Sequence, residues 1–178
     1  MVETLAGIRR LTIQKDSIKV DMGVPIFDGK KIPVAIDGEV LNYPLEIHKR
    51  SFKINCLSVG NPHCVIYLNG IEKFPMDIYG PLIEKHSLFP NRTNVEFVEV
   101  KDRENIHIRV WERGVGETPS CGTGAVAASV MSTKKGLTNR DVTVHLKGGN
   151  LFIQWNKDGR VFMSGEAKEV FRGEINID

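Results

Sequence analysis

Residues 122–135 constrain the fold of this chain more than any other segment. Positions 125–131 are almost all small or apolar, so the helix that their spacing predicts is apolar on nearly every side. Lys135 and Gly136 follow, and a glycine is well suited to end a helix. A helix with one face in water would carry polar residues along that face. The segment therefore predicts a central helix that is buried and surrounded by β-sheet.

Most of the remaining chain alternates apolar and polar residues with a period of two, which is typical of β-strands. Two polar turns, at residues 101–105 and 157–159, separate such runs and predict β-hairpins. Residues 77–88 have helical spacing behind a possible Asp77 cap, which predicts a short surface helix. The sequence thus predicts an α+β fold, with a barrel-type sheet wrapped around a central α-helix.

The composition excludes several classes of function. The chain has 24 Lys and Arg against 22 Asp and Glu, and no long run of like charges, so we expect no nucleic-acid surface. No apolar stretch approaches the roughly 20 residues of a membrane span, and residues 1–3 do not resemble a signal peptide. Three cysteines are too few for a disulfide scaffold, so we expect a cytoplasmic protein. The spacing of Cys56 and Cys64 does not fit a metal knuckle, and we expect no metal.

The loop before the central helix is the strongest candidate for chemistry. The N–H groups of Gly122 and Thr123 are expected at the helix N-terminus, where they and the helix dipole can bind an anion. The same positive end is expected to lower the pKa of the Cys121 thiol. Glu112 is expected on the strand face that meets the helix, as a proton partner for the thiol, and Arg113 offers a clamp for a substrate carboxylate. The alternative is that the loop only caps the helix and Cys121 is a core residue.

Two further polar clusters are candidates for binding. Asn61 and His63 follow one apolar run and precede another, so they could contact a ligand at a bend between strands. A turn capped by Asn61, with His63 in solvent, is the simpler alternative. Residues 90–94 suit recognition of an amino acid or a carboxylate, and capping of a helix or a turn is an equally good interpretation. Cys56 and Cys64 lie beside apolar runs and are expected to be core residues.

With these clusters in view, the sequence closely resembles the C-terminal half of the diaminopimelate epimerase family. The matching stretches are residues 20–23, 60–65, 89–97, 112–125 and 165–173. The resemblance implies two similar domains, each a barrel-like sheet around a central helix, with the active site in the cleft between them. It also implies an isomerase of lysine biosynthesis that converts LL- to meso-diaminopimelate. Such an enzyme would use neither pyridoxal phosphate nor a metal.

The same resemblance implies a set of site residues. Two cysteines on opposite faces of the substrate's α-carbon would exchange the roles of acid and base. Cys121 matches the second cysteine and Glu112 its partner, whereas His63 matches the partner of the first cysteine. The positions that match substrate-binding residues are Asn61, Asn94, Arg113, Gly122 and Thr123. Gly122 and Thr123 would bind through their backbone N–H groups.

Nothing in this chain matches the family's first catalytic cysteine, which lies in a Cys-Gly-Asn-Gly stretch of an N-terminal domain. We therefore expect residues 22–166 to form the C-terminal epimerase domain, and residues 1–21 and 167–178 to be strand remnants of the missing domain's sheet. Such edges predict a homodimer, and a chain with one of two catalytic cysteines is expected to be nearly inactive alone. The alternatives are a proline-racemase-like enzyme and a non-catalytic truncated scaffold.

Overall fold

The computed structural model of the chain describes residues 1–4, 7–15 and 17–176. The described residues form strands and two α-helices, together with two short 3₁₀ turns at Gly29–Lys31 and Ile71–Lys73. In chain order, the strands and α-helices are β1 (Val2–Thr4), β2 (Gly7–Arg9), β3 (Leu11–Ile13), β4 (Ser17–Gly23), β5 (Tyr43–Ile47), β6 (Arg50–Ser58), β7 (Pro62–Tyr67), α1 (Met76–Glu84), β8 (Asn94–Val100), β9 (Asn105–Glu112), β10 (Gly116–Thr118), α2 (Gly122–Lys134), β11 (Asp141–Leu146), β12 (Gly149–Trp155) and β13 (Val161–Glu166).

All strands except β1 and β2, which pair with each other, belong to one mixed 11-stranded sheet. Its order is β3-β4-β13-β12-β11-β9-β8-β7-β6-β5, and β10 pairs with β9 beside this path. The pairs β7–β8 and β9–β11 are parallel, while the other pairs described are antiparallel. Both predicted hairpins are present, as β8–β9 and β12–β13. The predicted α+β class is confirmed.

Helix α2 lies at the centre of the main core. Every residue from position 124 to 132 is buried, and strands from both halves of the sheet contact the helix. The apolar side chains that surround it include Leu57, Val110 and Ile153, none of which is more than 1% exposed. Gly136 follows the helix with a φ of 70°, a left-handed conformation that glycine adopts without strain. The buried central helix that the sequence predicts is confirmed.

Helix α1 covers a second apolar cluster on the other face of strands β5 to β9. Met76 and Ile83 are buried in this cluster, whereas Ile78 is 52% exposed, so α1 is a surface helix with one packed face. The helix begins after Pro75 instead of at an Asp77 cap, and Asp77 lies in its first turn. It ends at Glu84, short of the predicted residue 88, because Lys85 already leaves the helical conformation.

The two ends of the chain differ from each other. Strand β4 crosses position 22 without a break and pairs with β13, so this part of the first 21 residues continues the main sheet. The strand expected within residues 167–178 is absent from residues 167–176, and residues 177 and 178 lie outside the described ranges. The division at residues 22 and 166, and the origin of both ends in another domain, stay predictions. No helix in the described part of the chain is long and apolar enough to cross a bilayer.

Candidate active site

The candidate site lies at the N-terminal end of α2. Cys121 is the residue that precedes the helix, in an extended conformation with φ −142° and ψ 109°, and it is 7% exposed. Its Sγ lies 3.6 Å from Oγ1 of Thr123. The N–H groups of Gly122 and Thr123 belong to the first turn, where a helix offers them no acceptor of its own. The thiol therefore lies beside N–H groups that are suited to bind an anion.

The pKa of the Cys121 thiol is shifted in the direction opposite to the predicted one. Burial raises it from 9.0 to about 11, and hydrogen bonds to Thr123 and to the Gly124 N–H act in the lowering direction. The nearby carboxyl groups of Glu96 and Glu112 also raise it. The prediction of a lowered pKa is wrong because desolvation, the largest cause, outweighs the donors at the helix N-terminus. At neutral pH the sulfur carries its proton.

Glu112 occupies the position that strand parity predicts. Ile108 and Val110 of β9 belong to the apolar cluster around α2, and Glu112 follows with the same parity at the end of the strand. Its Oε1 accepts a hydrogen bond of 2.5 Å from Oγ1 of Thr118, which lies on the adjacent strand β10. The charge of this carboxylate raises the pKa of the Cys121 thiol.

Asn94 connects the first residue of β7 to the loop after β9. Its Oδ1 accepts from the backbone N–H of Arg113 at 2.9 Å, and its Nδ2 donates to the carbonyl of Pro62 at 2.9 Å. Asn94 is only 4% exposed, so both ends of its amide are used within the chain. Arg113 has an exposed side chain whose Nη1 donates to the carbonyl of Asn91 at 3.2 Å. The substrate-binding roles of Asn94 and Arg113 stay predictions.

His63 lies inside strand β7 and is 0% exposed, so the alternative of a solvated histidine in a turn is wrong. The strand carries the ring into the core, where Nδ1 lies 2.6 Å from Oε1 of Glu96. Nε2 lies 2.9 Å from Oδ1 of Asn61. Nδ2 of Asn61 in turn donates to Oγ1 of Thr123 at 3.4 Å. These contacts bring Asn61 and His63 to the same site as Cys121.

Glu96 is a site residue that the sequence interpretation missed. It is 0% exposed in β8, on the strand face that it shares with Val98 and that packs on α2. Burial raises the pKa of its carboxyl group, and the contact with His63 acts in the lowering direction. A glutamate between Val95 and Phe97 has the pattern of a strand with one wet face. Here both faces are covered, by α2 on one side and by the second cluster on the other.

The other two cysteines are core residues, as predicted. Cys56 and Cys64 face each other across the β6–β7 pair and are 1% and 0% exposed. Within the described ranges, no group of three or more His, Cys, Asp or Glu side chains could hold a metal ion. The expectation that the protein binds no metal stays a prediction.

The curated proteins that resemble this chain in sequence include several diaminopimelate epimerases. The family profile described as diaminopimelate epimerase matches residues 55–170. The diaminopimelate epimerase of Acetivibrio thermocellus is 48% identical over 184 aligned residues, which cover 99% of this chain and 66% of that protein. The diaminopimelate epimerase of Magnetococcus marinus is 51% identical over 175 residues, which cover 98% of this chain and 63% of that protein. The chain thus spans about two thirds of the length of these relatives.

A solved structure of a probable proline racemase from Agrobacterium radiobacter K84 has a similar fold. It aligns with a TM-score of 0.66 and 13% sequence identity, over 99% of this chain and 59% of that one. At this identity the likeness concerns the fold alone, a sheet that surrounds a central helix. The family profile, in contrast, covers most of the chain, and the sequence relatives share about half of its residues. This chain therefore belongs to the diaminopimelate epimerase family, a family of isomerases.

Proposed function

We propose that this chain carries one half of the active site of a diaminopimelate epimerase, which interconverts LL- and meso-diaminopimelate in lysine biosynthesis. In this proposal Cys121 is one of two cysteines that exchange the α-proton, and neither pyridoxal phosphate nor a metal takes part. One observation carries the proposal. A protonated thiol, a carboxylate and first-turn N–H groups meet at the mouth of a buried helix, in a chain of this family.

The chemistry requires an acid on one face of the α-carbon and a base on the other. The α-proton of an amino acid is very weakly acidic, so the negative charge that develops on its removal must be stabilised by fixed donors. The N–H groups of Gly122 and Thr123 would hold the α-carboxylate in this role. Cys121 carries its proton at neutral pH and is therefore the acid when the other cysteine removes the α-proton. In the reverse direction Cys121 must act as the base, and Glu112 would accept the thiol proton so that the thiolate can form.

The remaining site residues would recognise the substrate and assist the first cysteine. Asn61 is half-buried and offers an amide to the site, and the exposed guanidinium of Arg113 suits a substrate carboxylate. Asn94 holds the backbone of Arg113 in place through its 2.9 Å hydrogen bond. His63 would be the partner of the first cysteine, from the side of its ring that faces Asn61.

The proposal predicts that this chain alone is a poor epimerase. A single base that returns its proton to the same face regenerates the starting isomer, so both isomers interconvert only when a second group serves the other face. We expect activity at least ~10³-fold below that of a complete enzyme, on the scale of losing one general acid–base group. Adding a protein segment that contains a Cys-Gly-Asn-Gly loop is expected to restore turnover.

The test follows deuterium exchange at the α-carbon of LL-diaminopimelate in D₂O by proton NMR. The chain is measured alone and together with the part of the Acetivibrio thermocellus enzyme that lies outside the aligned 66% of that protein. Cys121→Ala is expected to abolish the restored exchange. The matched control is Cys56→Ala, which removes a thiol from the second apolar cluster and is expected to leave the restored exchange unchanged. Full activity of the chain alone, or exchange by Cys121→Ala, would contradict the proposal.

The second candidate function is a proline-racemase-like activity, which the similar fold of a probable proline racemase suggests. The polar side chains of Asn61, Asn94 and Arg113 favour diaminopimelate, because its distal amino-acid group needs polar recognition that proline lacks. The same exchange assay with L-proline separates the two. In the presence of the added segment, exchange of proline but not of diaminopimelate favours the racemase, and exchange of neither favours a non-catalytic scaffold.

We also propose that the chain forms a two-fold homodimer. Val170, Phe171 and Ile175 are 89%, 83% and 86% exposed, and three large apolar side chains this exposed within six residues are suited to contact a partner. Sedimentation equilibrium is expected to give a dimer, and Phe171→Ser is expected to shift the population toward monomer. A monomer at all concentrations would contradict this proposal. A cytoplasmic location stays a proposal as well.

A further inference from the structure

A continuous path of contacts leads from the buried carboxyl group of Glu96 to the sulfur of Cys121. Oε1 of Glu96 lies 2.6 Å from Nδ1 of His63, and Nε2 of the same ring lies 2.9 Å from Oδ1 of Asn61. Nδ2 of Asn61 is 3.4 Å from Oγ1 of Thr123, which is 3.6 Å from Sγ of Cys121. The path therefore connects the side chain proposed to assist the first cysteine with the second cysteine itself.

The directions of donation along this path follow from the placement of the Asn61 amide, whose nitrogen faces Thr123. The amide nitrogen of Asn61 can only donate, and it points to Thr123, so the amide oxygen is the end that meets His63. That oxygen can only accept, and Nε2 of His63 must therefore carry a proton. The ring thus presents an N–H to the site and its other nitrogen to the carboxyl group.

The state of Nδ1 follows from its distance to Glu96. Two lone pairs at 2.6 Å would repel, so a proton must lie between Nδ1 of His63 and Oε1 of Glu96. It belongs either to a neutral carboxylic acid that donates to the ring or to an imidazolium that donates to a carboxylate. In both cases the buried pair holds a single proton between the two groups and has no net charge.

The surroundings of Glu96 support a neutral pair. Its other oxygen, Oε2, is buried without a hydrogen-bond partner among the described residues, and a full carboxylate in that position would be costly. A Cβ atom at Gly124 would lie 3.2 Å from Oε1, so the first turn of α2 packs directly against the carboxyl group. Burial also raises the pKa of Glu96. The carboxyl group is thus enclosed by the helix and the ring.

We propose that Glu96 is a positioning residue that shares one proton with Nδ1 of His63 and thereby fixes the ring with its Nε2–H on Asn61. Through Asn61 the same arrangement orients the hydroxyl group of Thr123 beside Cys121. The catalytic meaning of this arrangement rests on the proposed function, whereas the arrangement itself does not. Glu96 would act only through His63, because it lies in the core and does not reach the surface of the site.

The experiment records nitrogen-15 NMR spectra of the histidine rings in the chain, without substrate. The chain has five histidines, and the signals of His63 are identified by their loss in His63→Gln. In the unsubstituted chain we expect a protonated Nε2, and an Nδ1 resonance shifted toward that of a protonated nitrogen. In Glu96→Gln we expect Nε2 to keep its proton, while Nδ1 moves to the position of an unprotonated nitrogen, because an amide is a much weaker proton donor than an acid.

Glu99→Gln is the matched control, because Glu99 lies on the same strand and pairs with Lys101 outside this path. It is expected to leave both His63 resonances unchanged. An unprotonated Nε2 in the unsubstituted chain would overturn the proposal, and so would an Nδ1 resonance that Glu96→Gln does not move. If Glu96→Gln fails to fold, the spectrum of the unsubstituted chain still decides. If the His63 resonances are as expected but the deuterium exchange assay fails, the result contradicts the proposed function and leaves the proposal about Glu96 standing.

Discussion

The raised pKa of Cys121 predicts slow alkylation at neutral pH and a steep rise in alkaline solution. Only the thiolate attacks an alkylating reagent, so the rate follows the deprotonated fraction. A pKa of about 11 in place of 9.0 lowers that fraction about a hundredfold at any pH well below 9. The rate is expected to rise about tenfold per pH unit beyond pH 9, where an ordinary thiol already levels off.

Cys121 is nevertheless expected to react before the other two cysteines. Cys121 is 7% exposed, whereas Cys56 and Cys64, in the second apolar cluster, are 1% and 0% exposed. Burial raises the pKa of Cys64 strongly, and its contact with Cys56 raises it further. The order of labelling is therefore set by access, while the absolute rate at Cys121 is set by its pKa.

The assay treats the folded chain with iodoacetamide between pH 7 and pH 10 and quantifies each labelled cysteine by mass spectrometry, with a small free thiol as the reference. Glu112→Gln removes a carboxylate that raises the pKa of Cys121, so it is expected to speed the reaction. Glu117→Gln is the control, because this carboxylate pairs with Arg109. A rate that levels off near pH 9, or equal labelling of Cys56, would refute the reasoning.

Two further predictions concern the contact between α1 and β9. Nε1 of Trp111 donates a hydrogen bond of 2.9 Å to Oε2 of the buried Glu84, and Trp111→Phe removes this donor. We expect the free energy of unfolding, measured with urea, to fall by about 1–3 kcal/mol. Gly80→Ala would place a Cβ atom 2.6 Å from Cδ2 of Trp111. The resulting strain of about 1–3 kcal/mol should outweigh the roughly 1 kcal/mol that alanine gains over glycine in a helix, so we expect a lower melting temperature. A higher melting temperature would show that the Trp111 ring moves aside freely.

The elements that the sequence predicted well are those whose signal is local. Residues 122–135 are apolar on nearly all sides, and such a segment has few alternatives to a buried helix. The turns at 101–105 and 157–159 separate alternating runs, so the hairpins follow from turn chemistry alone. Cys56 and Cys64 were assigned to the core for the same reason, because their neighbours in the chain are apolar.

The features that the sequence did not predict depend on contacts between distant segments. The alternation of apolar and polar residues around Glu96 predicts a strand with one solvent-exposed face. Helix α2 packs on that face and buries Glu96, and no residue near Glu96 in the sequence indicates this contact. The pKa of Cys121 depends on its burial and on two carboxylates, and one of these was not identified as a neighbour. His63 is buried through the pairing of β7 with β8, which is parallel and has no turn to mark it in the sequence.

The pairing of β4 with β13 has a consequence for how the chain is made. Asp21 and Arg160, which bond across this pair, are 139 residues apart. At a synthesis rate of roughly 5–20 residues per second, β4 therefore leaves the ribosome on the order of ten seconds before its partner exists. Contacts of such long sequence separation also form late in folding. Throughout that interval β4 has an open edge that can pair with other nascent chains, so the protein should depend on chaperones more than a helical protein of equal length.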